Sequence, residues 1–248
     1  MRAQLKRFVI LSAAAVGLAV VSPVRADPVL FYGGDLDPSN PQATGLLNMQ
    51  SAVGGFGRTY QNFIIPLGQT WTITGLFSND LTQGTVFGFV DWEIRSGISE
   101  GNGGILVASA IDAPATMTPT DRSLNTPGFG LSEFNFTVSG LDVVLGPGMY
   151  WMNAAPDAGK FEAPVFNSNT FGLNPVGSQV SDQQFWNASS ANFTNADNVG
   201  VFPALSDGVS GTIAQSAVPE PATLTLLGVG GLVGLGGAWW RRRLNRER

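Results

Sequence analysis

Between residues 27 and 218, apolar and polar positions alternate with a period of two almost throughout, the pattern of half-buried β-strands. In Thr70–Thr74 the side chains of Trp71 and Ile73 fall on one face and three threonines on the other. Across Thr85–Arg95, Val86, Val90, Trp92 and Ile94 share a face. The opposite face runs from Phe87 and Phe89 to Asp91, Glu93 and Arg95, so this strand is expected to start buried on both sides and end half-exposed. Leu131–Val138 places Phe134, Phe136 and Val138 inward, against Glu133, Asn135 and Thr137.

Turn signals punctuate these runs at Ser78-Asn79-Asp80, Gly101-Asn102-Gly103-Gly104, Asn125-Thr126-Pro127-Gly128, Ser139-Gly140 and Gly146-Pro147-Gly148. About ten to twelve strands follow, near 28–32, 58–65, 71–78, 85–95, 104–110, 131–138, 141–145, 149–154, 165–172, 183–187 and 208–214. A helical period is missing from this region, apart from one or two turns that Ala43–Ser51 can make. Many short strands with Gly/Pro turns predict an all-β, antiparallel β-sandwich or jelly-roll-like domain over 27–213, followed by a short linker at 214–217.

Composition narrows the chemistry. The chain has 248 residues, with neither cysteine nor histidine, which excludes disulfides, thiolate nucleophiles, Cys/His zinc sites, and Ser-His-Asp triads. The net charge of −5 is unevenly spread. Residues 27–218 hold four basic side chains (Arg58, Arg95, Arg122, Lys160) against sixteen acidic ones, whereas both ends are basic. An acidic body argues against nucleic-acid binding, which needs a basic face to neutralise phosphates.

The ends read as addresses. Met1–Arg7 is basic, Phe8–Val21 is an apolar run of fourteen residues, and Val24-Arg25-Ala26 offers small residues before a cut between Ala26 and Asp27. This is the layout of a signal peptide over 1–26, too short to span a bilayer, and it implies a secretion translocon and a signal peptidase as partners. At the other end, Ala222–Trp240 is nineteen residues without a charge, long enough at about 1.5 Å per residue for a single transmembrane helix. Trp239-Trp240 suits an interfacial belt, and Arg241, Arg242 and Arg243 in the basic tail 241–248 hold that flank in the cytoplasm, leaving the acidic body outside. Gly230 and Gly234 lie four apart within the span, a spacing that serves helix dimerisation, unwinding by a membrane enzyme, or a plain glycine-tolerant anchor. Val218-Pro219-Glu220-Pro221 precedes it as a stiff extended strip that cannot enter the helix.

The Val-Pro-Glu-Pro strip, the glycine-rich span and the arginine cluster, in this order over 218–248, resemble a PEP-CTERM sorting signal, also labelled the ice-binding protein C-terminal domain. The resemblance implies recognition of Pro219, Glu220 and Pro221 by an exosortase, a membrane-embedded transpeptidase-like enzyme. It implies cleavage near that motif, and delivery to the cell envelope or the extracellular matrix. The label does not imply that this chain binds ice. The stretch from Trp71 to Asn153 is similar to uncharacterised secreted β-sandwiches that precede such tails, a similarity that supplies no activity.

Within the body three constellations carry candidate chemistry. Asp35-x-Asp37-x-x-Asn40 suggests a calcium loop, but Asn40 and Leu46 occupy the places of the EF-hand glycine and bidentate glutamate. Asp91 and Glu93 share one strand face, as a glycan hydrolase's paired carboxylates would, with Arg95 beside them to neutralise one. Trp151 and Trp186 are candidate stacking platforms for an exopolysaccharide. The expected role is that of a non-enzymatic structural or adhesive protein without a cofactor. The alternatives are a carbohydrate-binding module and a carboxylate-based glycan hydrolase.

Overall fold

The computed structural model describes residues 27–215 apart from 41, 49, 52–56, 84–87, 127–128, 160–164, 181–183, 188–192, 199 and 201–202. The leader, residues 216–217 and the whole sorting tail, including the expected transmembrane helix, lie outside the described residues, and Ala214 and Gln215 of the expected linker belong to the last strand, paired with Thr70 and Gln69.

Among these residues the chain is all-β. The strands are β1 (Val29–Tyr32), β2 (Gly45–Leu47), β3 (Gln50–Ser51), β4 (Arg58–Ile65), β5 (Gln69–Thr82), β6 (Phe89–Ser96), β7 (Ile105–Pro114), β8 (Thr116–Thr126), β9 (Phe129–Leu145), β10 (Gly148–Gly159), β11 (Phe166–Thr170), β12 (Phe185–Asn187), β13 (Phe193–Asn195), β14 (Ala204–Leu205) and β15 (Asp207–Gln215). One 3-10 turn, Ala196–Asn198, is the sole helical element described.

The strands form two sheets. The first is ordered β1-β15-β5-β11-β14, with β9 on the other side of β5, β8 beyond it, and β2 against β11. The second is ordered β13-β12-β4-β10-β6-β7, with β3 against β10. All pairings are antiparallel except the short β3–β10 contact. The inner faces share one apolar core: Phe31, Trp71, Ile73, Leu76, Phe136, Val138 and Val209 from the first sheet meet Phe63, Ile65, Val90, Trp92, Ile94, Met152 and Ala154 from the second. Phe63 is its centre, with ring centroids 5.9 Å from Phe31, 6.0 Å from Trp71 and 5.8 Å from Tyr150.

β5 departs from the strict alternation in one place. Trp71 and Ile73 face the core, the register with both neighbours shifts at Gly75, and from there Leu76, Ser78, Asp80 and Thr82 are buried. A β-bulge adds a residue and re-aims everything beyond it. Only glycine fits the spot, because a Cβ on Gly75 would stand 2.9 Å from the Val138 carbonyl oxygen and 2.7 Å from Ser210 Oγ.

Several sequence expectations need correction. Ser78-Asn79-Asp80 is strand rather than turn, and its polar side chains are buried. Ser139-Gly140 bends one continuous strand, β9, instead of separating two. Ala43–Ser51 holds the short strands β2 and β3 and no helical turn. β8 has no counterpart among the expected strands. It is an edge strand interrupted by Pro119 and by Asp121, whose φ is 63°, and that polar, proline-containing edge hides its strand character.

Replacing Phe63 by alanine should lower unfolding free energy by about 3–5 kcal/mol, whereas Leu67→Ala, at a position 93% exposed, should change it by less than about 0.5 kcal/mol. Urea denaturation of the two variants against wild type checks the contrast.

Candidate functional site

The carboxylates of β6 meet arginines on the outer face of the second sheet. β10 lies between β4 and β6, with Asn153 opposite Glu93 and the small Ala155 opposite Asp91. Arg58, on β4, reaches across: its Nη2 lies 2.9 Å from Asp91 Oδ2, and its Nη1 pairs with Glu93 Oε1. Arg95 Nε pairs with the second oxygen of Glu93, and the Tyr60 hydroxyl donates to that oxygen at 3.1 Å. The backbone N–H of Asp112 donates to Asp91 Oδ1 at 2.9 Å. Two guanidinium groups thus balance two carboxylates.

The cluster is roofed. Tyr60 and Trp151 pack with Ile98, Phe185 and Phe193 into a second small core where β12 and β13 fold over the sheet, and the Arg95 guanidinium sits 5.3 Å from the Phe193 ring centre. Asp91 and Glu93 are buried rather than half-exposed, which corrects the sequence expectation for this face. Burial, and next the Glu93 charge, push the Tyr60 phenol well above its ordinary pKa, so it remains a donor to Glu93. Both carboxylates are held by arginine and shut away from solvent, an arrangement suited to holding strands together. Hydrolysis would need one of them free to face a glycosidic bond.

Trp151 is 2% exposed and meets Phe185 edge-on at 6.3 Å, so its ring faces are spent on packing. Trp186 is half-buried beside Leu46, Ala196 and Leu205, and its indole N–H donates to the Leu47 carbonyl at 3.1 Å. The structure does not bring the two rings together as one platform: they pack in separate clusters.

Asp35 and Asp37 also have protein partners. Asp35 Oδ1 accepts from the Tyr32 hydroxyl at 2.8 Å and pairs with Arg122 Nη1 at 2.8 Å, while Asn174 Nδ2 donates to Oδ2 at 2.8 Å. Asp37 Oδ1 accepts from the Ser39 N–H at 3.0 Å and hydroxyl at 2.6 Å, closing a turn. Those bonds hold its carboxyl below the ordinary value. Among the described residues no three His, Cys, Asp or Glu side chains gather as a metal centre would need.

Sequence reasoning missed Arg58 and Arg122 as partners. The available signal was scarcity: in a body with four basic residues, arginines on strands invite pairing. All three described arginines are in ion pairs: Arg58 with Asp91 and Glu93, Arg95 with Glu93, Arg122 with Asp35 and Glu133. The exposed charges described in the body are carboxylates, on Asp27, Glu100, Asp112, Asp121, Asp142 and Asp197.

The body is therefore an all-β domain with an acidic surface, and its address lies beyond it. Residues 217–243 match the family description of the PEP-CTERM protein-sorting motif, a stretch that includes Val218, Pro219, Glu220 and Pro221 and ends on Arg243. The chain carries that motif, which is recognised by exosortase, a membrane processing enzyme, and it is accordingly a secreted protein that reaches the cell surface. Comparison with curated proteins and with solved structures finds no match.

Arg58→Met should cost about 3–5 kcal/mol, because it leaves buried Asp91 without a counter-charge and Glu93 with Arg95 alone. Chemical denaturation reads the loss. Asp91→Asn in the Arg58→Met background should recover part of it by removing the carboxylate left without an arginine.

Proposed function

We propose that the β-domain is a structural or adhesive component of the cell envelope or extracellular matrix, acts without catalysis, and is delivered by its sorting tail. Signal-peptide removal between Ala26 and Asp27 starts the route. The Ala222–Trp240 span, stopped by Arg241–Arg243, tethers the exported chain while exosortase engages Pro219-Glu220-Pro221.

The observation that carries the non-catalytic reading is where the candidate side chains go. The carboxylates that could turn over a glycan are locked against arginines, and Trp151, one of the two candidate stacking rings, is core. An acidic surface without an exposed arginine among the described residues also repels acidic polysaccharides. A packed sandwich of this kind is a durable spacer or matrix brick.

Replacing Pro219-Glu220-Pro221 by three alanines should leave the protein full-length and membrane-bound, read by immunoblot of fractionated cells. Normal processing of that variant would overturn the sorting route. For the body, polysaccharide pull-down should show no selective retention. Retention lost on Trp186→Ala would favour a carbohydrate-binding module, and glycan turnover lost on Glu93→Gln would favour a hydrolase.

A further inference from the structure

The interior of the sandwich is apolar at one end and polar at the other. Ser78, Asp80 and Thr82 share the inner face of β5, and all three are buried. Asp207 on β15 lies opposite Ser78, and Asn167 on β11 lies opposite Asp80. Asn167 Nδ2 donates to Asp207 Oδ1 at 2.6 Å. From the other side come the Ala154 carbonyl of β10 and the Asn48 side chain, whose Nδ2 donates to Asp80 Oδ1 and to Ala154 O, each at 3.0 Å.

The hydrogens around Ser78 do not add up if Asp80 is ionised. Ser78 Oγ lies 2.5 Å from Asp80 Oδ2 and 2.8 Å from the Ala154 carbonyl oxygen. A serine hydroxyl has one proton to give, and a carboxylate and a carbonyl can only accept. One of the two short contacts would then set two oxygens together with no hydrogen between them. A proton on Asp80 Oδ2 removes the conflict: the acid donates to Ser78 Oγ, and Ser78 donates onward to Ala154. The chain of bonds then runs from one sheet to the other.

We propose that Asp80 is kept as a neutral carboxylic acid in the folded domain and that its proton, relayed through Ser78 to Ala154, ties the two sheets together, making the domain more stable in mild acid than at neutral pH.

Among the described residues, the surroundings supply no cation to compensate an ionised Asp80. β15 brings Asp207, and β9 brings Glu133, whose charge bears on Asp80. β10 carries Asp157 as its one charged residue, while β2, β11 and β14 carry none. Arg58 of β4 is paired with Asp91 and Glu93, and Arg122 of β8 with Asp35 and Glu133. Asp207 is fully buried as well, and its Oδ2 has no hydrogen-bond partner among the described residues. Burial first, with Glu133 adding to it, pushes the Asp80 pKa up to about 7 against the hydrogen bonds from Ser78 and Asn48. Burial and then the Asp80 charge raise Asp207 in the same direction.

The sign follows from where the proton sits. Unfolded, Asp80 ionises near 3.8; folded, near 7. Between those values the folded chain holds a proton that the unfolded chain has lost, so acidification favours folding by about tenfold per pH unit for one such group. Above the folded pKa both forms are ionised and this dependence ends; below about pH 4 both are protonated and it ends again.

The test is chemical denaturation of the processed protein, purified from its native envelope, at pH 7 and pH 5. Asp80 alone should raise the folding equilibrium constant of wild type about fiftyfold on acidification, since half of it is already ionised at pH 7, and Asp207 adds its own share. Asp80→Asn presents an N–H to Ser78 as the acid does, so it should be at least as stable as wild type at pH 7 and lose the Asp80 share of the pH dependence, leaving that of Asp207. Asp207→Asn should keep the Asp80 share of it. Should Asp80→Asn fail to fold, infrared spectroscopy of Asp207→Asn replaces it: a protonated-carboxyl band is expected at pH 6 and should fade by pH 8. Flat or inverted pH dependence, an unchanged slope in Asp80→Asn, or absence of that band would overturn the proposal. Stability set by added calcium and independent of pH would overturn it too, assigning the charge compensation to a cation.

Discussion

Every charge taken into this fold has to be neutralised inside it, and cations are scarce. The body between the two ends carries sixteen acidic side chains and four basic ones. Where an arginine stands on a neighbouring strand, the solution is an ion pair: Arg58 spans β10 to hold Asp91 and Glu93, and Arg122 holds Glu133 from the edge strand β8. Where none of the described arginines is within reach, as around Asp80 and Asp207, amides and a hydroxyl surround the carboxyls instead. Both solutions serve to tie strands or sheets to each other, and both use up groups that would otherwise face a ligand.

This explains the division of labour along the chain. The tail is a portable address, a sorting motif read by a membrane enzyme. On the proposed reading, the body needs only to fold outside the membrane and stay folded. Its stability comes from a continuous aromatic and aliphatic core at one end of the sandwich and a hydrogen-bonded polar interior at the other. The bulge at Gly75 joins the two, turning the polar half of β5 inward.

Much of the fold was legible in the residues. Strict alternation marked Trp71 and Ile73, and Val90, Trp92 and Ile94, as core, and the structure buries all five. What escaped has a common cause. Ser78-Asn79-Asp80 has the composition of a turn, and nothing local reveals that Asn48, Asn167 and Asp207, distant in sequence, will satisfy it inside a strand. Asp91 and Glu93 look solvated until Arg58, thirty-odd residues earlier, is placed across β10. The Arg95–Glu93 pairing was readable because both lie on one strand. The sorting motif needed no tertiary information, since its recognition depends on order and proximity along the chain.

The account stands or falls on the route the chain takes to the surface. Mass spectrometry of the mature protein from its native host measures both ends at once. The account predicts an N-terminus at Asp27 and a C-terminus within or beside Val218–Pro221, with the hydrophobic span gone. An intact chain from Met1 to Arg248 recovered from the cytosol would contradict it.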